Sequence, residues 1–132
     1  MPITALYAGL LAPLFVLLSI RVIARRRASQ IGIGHGEDQA LLRRIRVHAN
    51  FAEYVPMALL LMALAESLLA SGVLLHALGA ALIAGRLLHA AGVSQTRENL
   101  TLRVAGMSLT FTVIGVAALA CIALSTSRLL GA

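Results

Sequence analysis

The sequence predicts an all-α protein, an integral membrane antiparallel four-helix bundle. Three observations carry that prediction. Hydrophobic residues make up 60% of the chain and charged residues 12%, with a mean hydropathy of +0.93. A soluble domain of 132 residues has too little interior to hide so much apolar surface. The apolar residues fall into four long runs, each near the roughly 20 residues that cross a bilayer as a helix. The connections between the runs are short and hold most of the charge, which makes neighbouring spans antiparallel.

Residues 3–24 form the first expected span. Residues 3–20 carry no charge, Pro13 lies among them, and Arg21 follows. Proline in a membrane helix produces a mild kink that neighbours tolerate, and an arginine at a helix end reaches back to the interface. The segment lacks the basic start and small-residue cleavage site of a signal peptide, so it reads as a retained span. Residues 25–40 are expected to be a loop, opened by Arg25-Arg26-Arg27 and continued by Gly32, Gly34 and Gly36. No strand precedes these glycines, so they do not form a phosphate cradle.

The second helix is expected to start near Asp38 or Gln39, with Asp38 as its cap. Arg43, Arg44 and Arg46 sit in its first turns, and its membrane part covers residues 49–70. A tight turn is expected at Ser71-Gly72. The third span, residues 74–93, is rich in small residues. Its spaced pairs Ala80/Ala84 and Ala81/Gly85 allow close helix approach. Residues 94–101 make a polar loop, and the last span covers residues 103–125. The whole of 1–132 is one domain.

Net charge is +6, and every cation counted is an arginine. The arginines flank apolar segments, as membrane anchors do, so the charge points to lipid headgroups and not to nucleic acid. Arg21, Arg25, Arg26, Arg27, Arg43, Arg44 and Arg46 surround the first loop. Arg97 and Arg103 lie at the third, and the second has none. The positive-inside rule places the first and third loops in the cytoplasm and both termini outside. Cys121 is the sole cysteine, has no partner within the chain and reads as a packing residue.

Arg46, Asn50 and Glu53 stand at i, i+4 and i+7, within about 60° on one helix face. An ionisable group inside a span costs roughly 2.5–3.5 kcal/mol unless something offsets it. The expected topology brings this stripe, at the cytoplasmic start of the second span, to the depth of Arg86 and His89 in the third and Arg103 in the fourth. On the fourth helix Arg103, Gly106, Met107 and Thr110 share a face, and Gly106 leaves room for a ligand or a neighbouring backbone. Glu53 is expected to pair with Arg86 or Arg103, lowering the burial cost of both. The group is either a set of structural ion pairs and snorkelling side chains or an anion-binding pocket. The pocket is favoured because the cations outnumber the carboxylate. Glu66 falls at the opposite face, His48 points about 160° from Asn50, and His35 and His76 are loop or interface residues. No His/Cys cluster has metal spacing, and no serine has the base that hydrolysis requires.

Arg46-x-His48-x-Asn50-x-x-Glu53-x-x-Pro56, then Gly85-Arg86-x-x-His89, then Arg103-x-x-Gly106 together resemble the MAPEG family, membrane-associated proteins in eicosanoid and glutathione metabolism. The likeness is nearest to its short bacterial branch. It implies a homotrimer in the bacterial inner membrane, with glutathione as thiol substrate held between subunits in the cytoplasmic half. It assigns Arg103 to the catalytic stabilisation of the thiolate. Arg21, Arg46, Asn50, Glu53, Arg86 and His89 are assigned to glutathione binding. Ala49 stands where eukaryotic members carry a further arginine, and Val93 where they carry a tyrosine. The implied function is transferase-like: conjugation or reduction of a lipophilic electrophile drawn from the bilayer. The alternative is a non-catalytic membrane protein holding a lipid or small anion in the same pocket. A small proton-coupled exporter is a weaker third reading, because the first span has no carboxylate.

Overall fold

The computed structural model describes residues 1–95 and 97–131. It consists of four helices, α1 (Pro2–Ser29), α2 (Gln39–Ser67), α3 (Gly72–Ser94) and α4 (Leu100–Leu129). All four are long and apolar enough to cross a membrane. Helices α2, α3 and α4 pack against one another, while α1 lies on α2 and α3 without touching α4. The expected fold class is the observed one.

The first loop is shorter than expected, because α1 continues through all three arginines to Ser29. Arginine is a good helix former, and a cation in the last turn meets the negative end of the helix dipole. Arg26 also donates from Nη1 to the carbonyls of Gly32 and Gly34, at 3.1 and 2.8 Å, and so wraps the following chain around itself. Asp38 is the expected cap: its carboxylate accepts from the backbone N–H groups of Ala40 and Leu41. It also accepts from Arg25 Nε at 2.8 Å and from the Ser29 hydroxyl. These donors, the Arg25 guanidinium first, hold its carboxyl well below the usual carboxylate range. One side chain thus starts α2 and ties it to the end of α1.

At the other end, α2 stops at Ser67 and not near residue 70. Ser71 is not a turn residue but the N-cap of α3, accepting from Leu74 N at 3.2 Å. A capping residue sits outside its helix, so the reversal moves back to residues 68–70, where Leu69 takes φ 65°. Glu66 is more than an interfacial charge. Its carboxylate accepts from Ile3 N and Thr4 N at 2.9 and 2.8 Å, satisfying N–H groups that the first turn of α1 cannot pair internally.

The seam between α3 and α4 is built on glycine. A Cβ on Gly106 would lie 2.6 Å from both Gly85 O and His89 N, and one on Gly92 would lie 2.7 Å from Arg103 N. These are backbone atoms that have no freedom to move aside. Of the small residues expected to mediate close packing, Gly85 lies in this seam, whereas Ala80 and Ala84 are exposed on the far face of α3. The room beside Gly106 is therefore filled by neighbouring backbone. Gly106→Ala is expected to destabilise the fold by about 1–3 kcal/mol through overpacking. Gly115→Ala, where nothing lies within 4 Å of the added carbon, is expected to leave the thermal midpoint in detergent unchanged or slightly raised.

Candidate functional site

Where α3 and α4 touch, Arg86 is enclosed, with 2% of its surface exposed. Its Nη2 donates to Thr110 Oγ1 at 2.6 Å and to Gly106 O at 3.4 Å. Its Nη1 donates to Asn50 Oδ1 on α2 at 2.6 Å. The expected pairing of Arg86 with Glu53 is not formed. Asn50 takes that place, one turn earlier on α2 and pointing inward. Glu53 is exposed on the outer face of α2 and forms no hydrogen bond or ion pair among the described residues. Nor does Glu53 reach Arg103. That guanidinium pairs at 2.7 Å with Glu98, which reaches it from the loop just before α4.

A cavity of about 310 Å³ opens at the end of the bundle formed by the start of α2, the end of α3 and the start of α4. Arg43, Arg46 and Arg103 contribute cations to its lining, Gln39, Asn50 and His89 contribute polar groups, and Leu42, Val93 and Glu98 complete it. Of the residues singled out from the sequence, the structure brings together Arg46, Asn50, His89 and Arg103. Arg86 lies behind Asn50 and does not line the space. Arg21 and Glu53 are also outside the lining. The backbone carbonyl of Arg21 accepts from Arg44 Nη1 at 3.0 Å, which joins α1 to α2.

Sequence reasoning missed Gln39, Arg43 and Glu98 as lining residues. For the first two a signal existed. Continuing the Arg46/Asn50 stripe two turns towards the start of α2 lands on Arg43 and Gln39, within about 60° of the same face. Arg43 also donates from Nη1 to Gln95 O at 2.9 Å, fixing the loop that carries Glu98. For Glu98 no periodic signal exists, because it lies in a loop. On the other side of α2, His48 meets Ser19 Oγ at 2.9 Å and stacks on Phe15, so it faces α1 and takes no part in the cavity. Among the described residues, no three His, Cys, Asp or Glu side chains gather closely enough to hold a metal.

Three arginines and one carboxylate give the cavity a surplus of positive charge, and an anion entering it competes with Glu98 for Arg103. Glu98→Gln is therefore expected to tighten binding of an anionic fluorescent probe several-fold. Arg46→Gln is expected to weaken it, and both effects should shrink as salt is raised from about 0.01 to 1 M. Fluorescence titration of the purified protein in neutral detergent measures both. Probe binding indifferent to both substitutions would contradict an electrostatic role for the cavity.

The sequence profile of the MAPEG family matches residues 4–123. The inner membrane protein YecN of Escherichia coli strain K12 is 38% identical over 87 residues, covering 66% of this chain and 66% of that protein. YecN of Escherichia coli O6:H1 gives the same figures. The aligned region is thus just under two thirds of these relatives' length. The profile match runs from the first turns of α1 to near the end of α4 and includes every residue that lines the cavity. With a bundle of four apolar helices and the Arg46–Glu53, Arg86–His89 and Arg103–Gly106 motifs gathered at one end, the chain belongs to the MAPEG family.

Proposed function

We propose that the protein is a glutathione-transferase-like enzyme of the bacterial inner membrane that conjugates or reduces a lipophilic electrophile. The observation that carries this reading is the cationic cavity lined by Arg43, Arg46, Asn50, His89 and Arg103. Glutathione is a net anion with two carboxylates, and three guanidinium groups suit it. The orientation read from the arginines puts the cavity on the cytoplasmic side, where thiols are kept reduced. The relatives' name, inner membrane protein, supports that membrane as the location.

The chemistry follows from charge. A free thiol has a pKa near 8.5 and reacts as its thiolate. A guanidinium that lowers this value by one unit supplies about 1.4 kcal/mol. We assign that role to Arg103. It lines the cavity, and displacing Glu98 releases its guanidinium for the sulfur. The thiol proton goes to solvent, sulfur bonds to the electrophilic carbon, and a leaving group such as chloride departs.

Assembly as a homotrimer follows the family pattern, and Glu53 supports it. Its carboxylate projects from the outer face of a membrane span with no partner among the described residues. A second copy packed there would both shelter the charge and bring Glu53 to a shared cavity. The alternative, a non-catalytic binder of a lipid or small anion, draws support from Val93. It lines the cavity where the family's eukaryotic enzymes place a tyrosine, so no hydroxyl donor stands at that point.

Purified protein with glutathione and chlorodinitrobenzene is expected to form conjugate above the uncatalysed rate. Arg103→Ala should slow it on the order of tenfold as thiolate is lost. Conjugation at the background rate in both proteins would leave only the binding reading. An alkaline phosphatase fused after Ala132 is expected to be active, as for a C-terminus outside the cytoplasm. An inactive phosphatase together with a fluorescent cytoplasmic reporter would reverse the orientation.

A further inference from the structure

The hydrogen bonds behind the cavity have a fixed direction. Thr110 has one hydroxyl proton and donates it to Gly106 O at 2.9 Å. It therefore meets Arg86 Nη2, 2.6 Å away, only as an acceptor. Arginine has donors and no acceptor. The Asn50 atom 2.6 Å from Nη1 is accordingly the carbonyl oxygen, and the amide has one permitted orientation. Asn50 lines the cavity and Arg86 does not. With Oδ1 held from behind, Nδ2 is the end of the amide left for the cavity, and it has no partner among the described residues.

Arg86 itself is 2% exposed, has no carboxylate at ion-pair distance among the described residues, and leaves its Nε unpaired. A buried cation bonded to the oxygen of an amide polarises that amide, making its N–H₂ a stronger donor on the opposite side. The rest of the local geometry keeps Arg86 in place. Gly85 and Gly106 bring the backbones together around it, and Thr110 fixes one arm of its fork.

From this geometry we infer that Arg86 is a positioning residue. It is the centre of a Thr110–Arg86–Asn50 relay, running from α4 through α3 to α2, that presents the Asn50 N–H₂ group to the cavity and so selects a ligand with a carboxylate at that point. The inference rests on the reading of the cavity as a site for an anionic thiol peptide. It adds what reads the peptide's carboxylate and which buried residues aim that reader. Arg86 acts through Asn50 and does not touch the ligand.

The relay is tested with two probes, glutathione and its dimethyl ester, whose dissociation constants are measured by equilibrium dialysis against the full-length protein in detergent. The wild type should prefer the free acid. Thr110→Val removes a link that lies outside the cavity lining and should cut that preference about tenfold, whereas Thr110→Ser should keep it. Asn50→Asp retains an oxygen for Arg86 but replaces the donor with a second acceptor. It should abolish the preference with the thermal midpoint held at or above that of the wild type. A merely structural role would weaken both probes alike and leave their ratio unchanged. The relay is overturned, with the proposed function intact, if Thr110→Val and folded Asn50→Asp both keep the wild-type ratio. If Asn50→Asp does not fold, the comparison of Thr110→Val with Thr110→Ser decides alone. Absence of glutathione binding to the wild type overturns the relay and the function together.

Discussion

The contact on which the rest of this structure depends is between two backbones. Gly85 and Gly106 have no side chains, so α3 and α4 approach until a carbon on Gly106 would collide with the Gly85 carbonyl and the His89 amide. In hydrocarbon there is no hydrophobic drive to hold helices together, so dispersion and short polar contacts at such seams do it. Gly92 repeats the arrangement two turns further along, against the amide of Arg103 and the carbonyl of Asn99. The seam therefore fixes both the depth and the rotation of α4 relative to α3. It is this rotation that puts Thr110 beside Arg86 and Arg103 across from His89.

A buried arginine is costly unless acceptors meet its guanidinium, and here both terminal nitrogens have them while Nε does not. The seam supplies two of them, Gly106 O and Thr110 Oγ1, from one turn of α4, and α2 supplies the third through Asn50. The same side chain thus locks three helices at one depth. Helix α1 is excluded from this arrangement. It packs on α2 and α3 through Tyr7, Leu11 and Leu18, and is tied near its ends by Glu66 under its first turn and by Arg25 to Asp38. His48 and Ser19 join it to α2 between those ends. The cavity is accordingly formed by α2, α3, α4 and the loop before α4, with no contribution from α1.

Most of the fold was legible in the sequence, because the length and hydropathy of a span are properties of single segments. The four helices, the Asp38 cap and the meeting of His89 and Arg103 at one end of the bundle all follow from local pattern and topology. What was not legible depended on which of two similar groups wins a partner. Glu53 and Asn50 lie less than one turn apart on α2. Electrostatics alone favours the carboxylate for Arg86, yet the packing of Val47, Phe51 and Val55 turns α2 so that Arg86 meets the amide and Glu53 faces outward. Glu98 pairs with Arg103 from a loop with no periodicity to mark it. The end of α2 was misplaced because Ser71 suits both a turn and a helix cap, and only the geometry of the reversal distinguishes them.

The position of Glu53 bears on the proposed assembly. A carboxylate at the centre of a span costs about 2.5–3.5 kcal/mol, and no described residue pairs with exposed Glu53 to offset it. Arg46, two turns earlier on the same stripe, is likewise exposed, although it borders the cavity. The stripe therefore runs from the cavity mouth onto the outer surface of α2. A ligand bound at the mouth and a second copy covering the outer surface would share one row of side chains. In that arrangement the charge that disfavours an isolated chain in the bilayer is the charge that completes the site, so assembly and ligand binding would draw on the same residues.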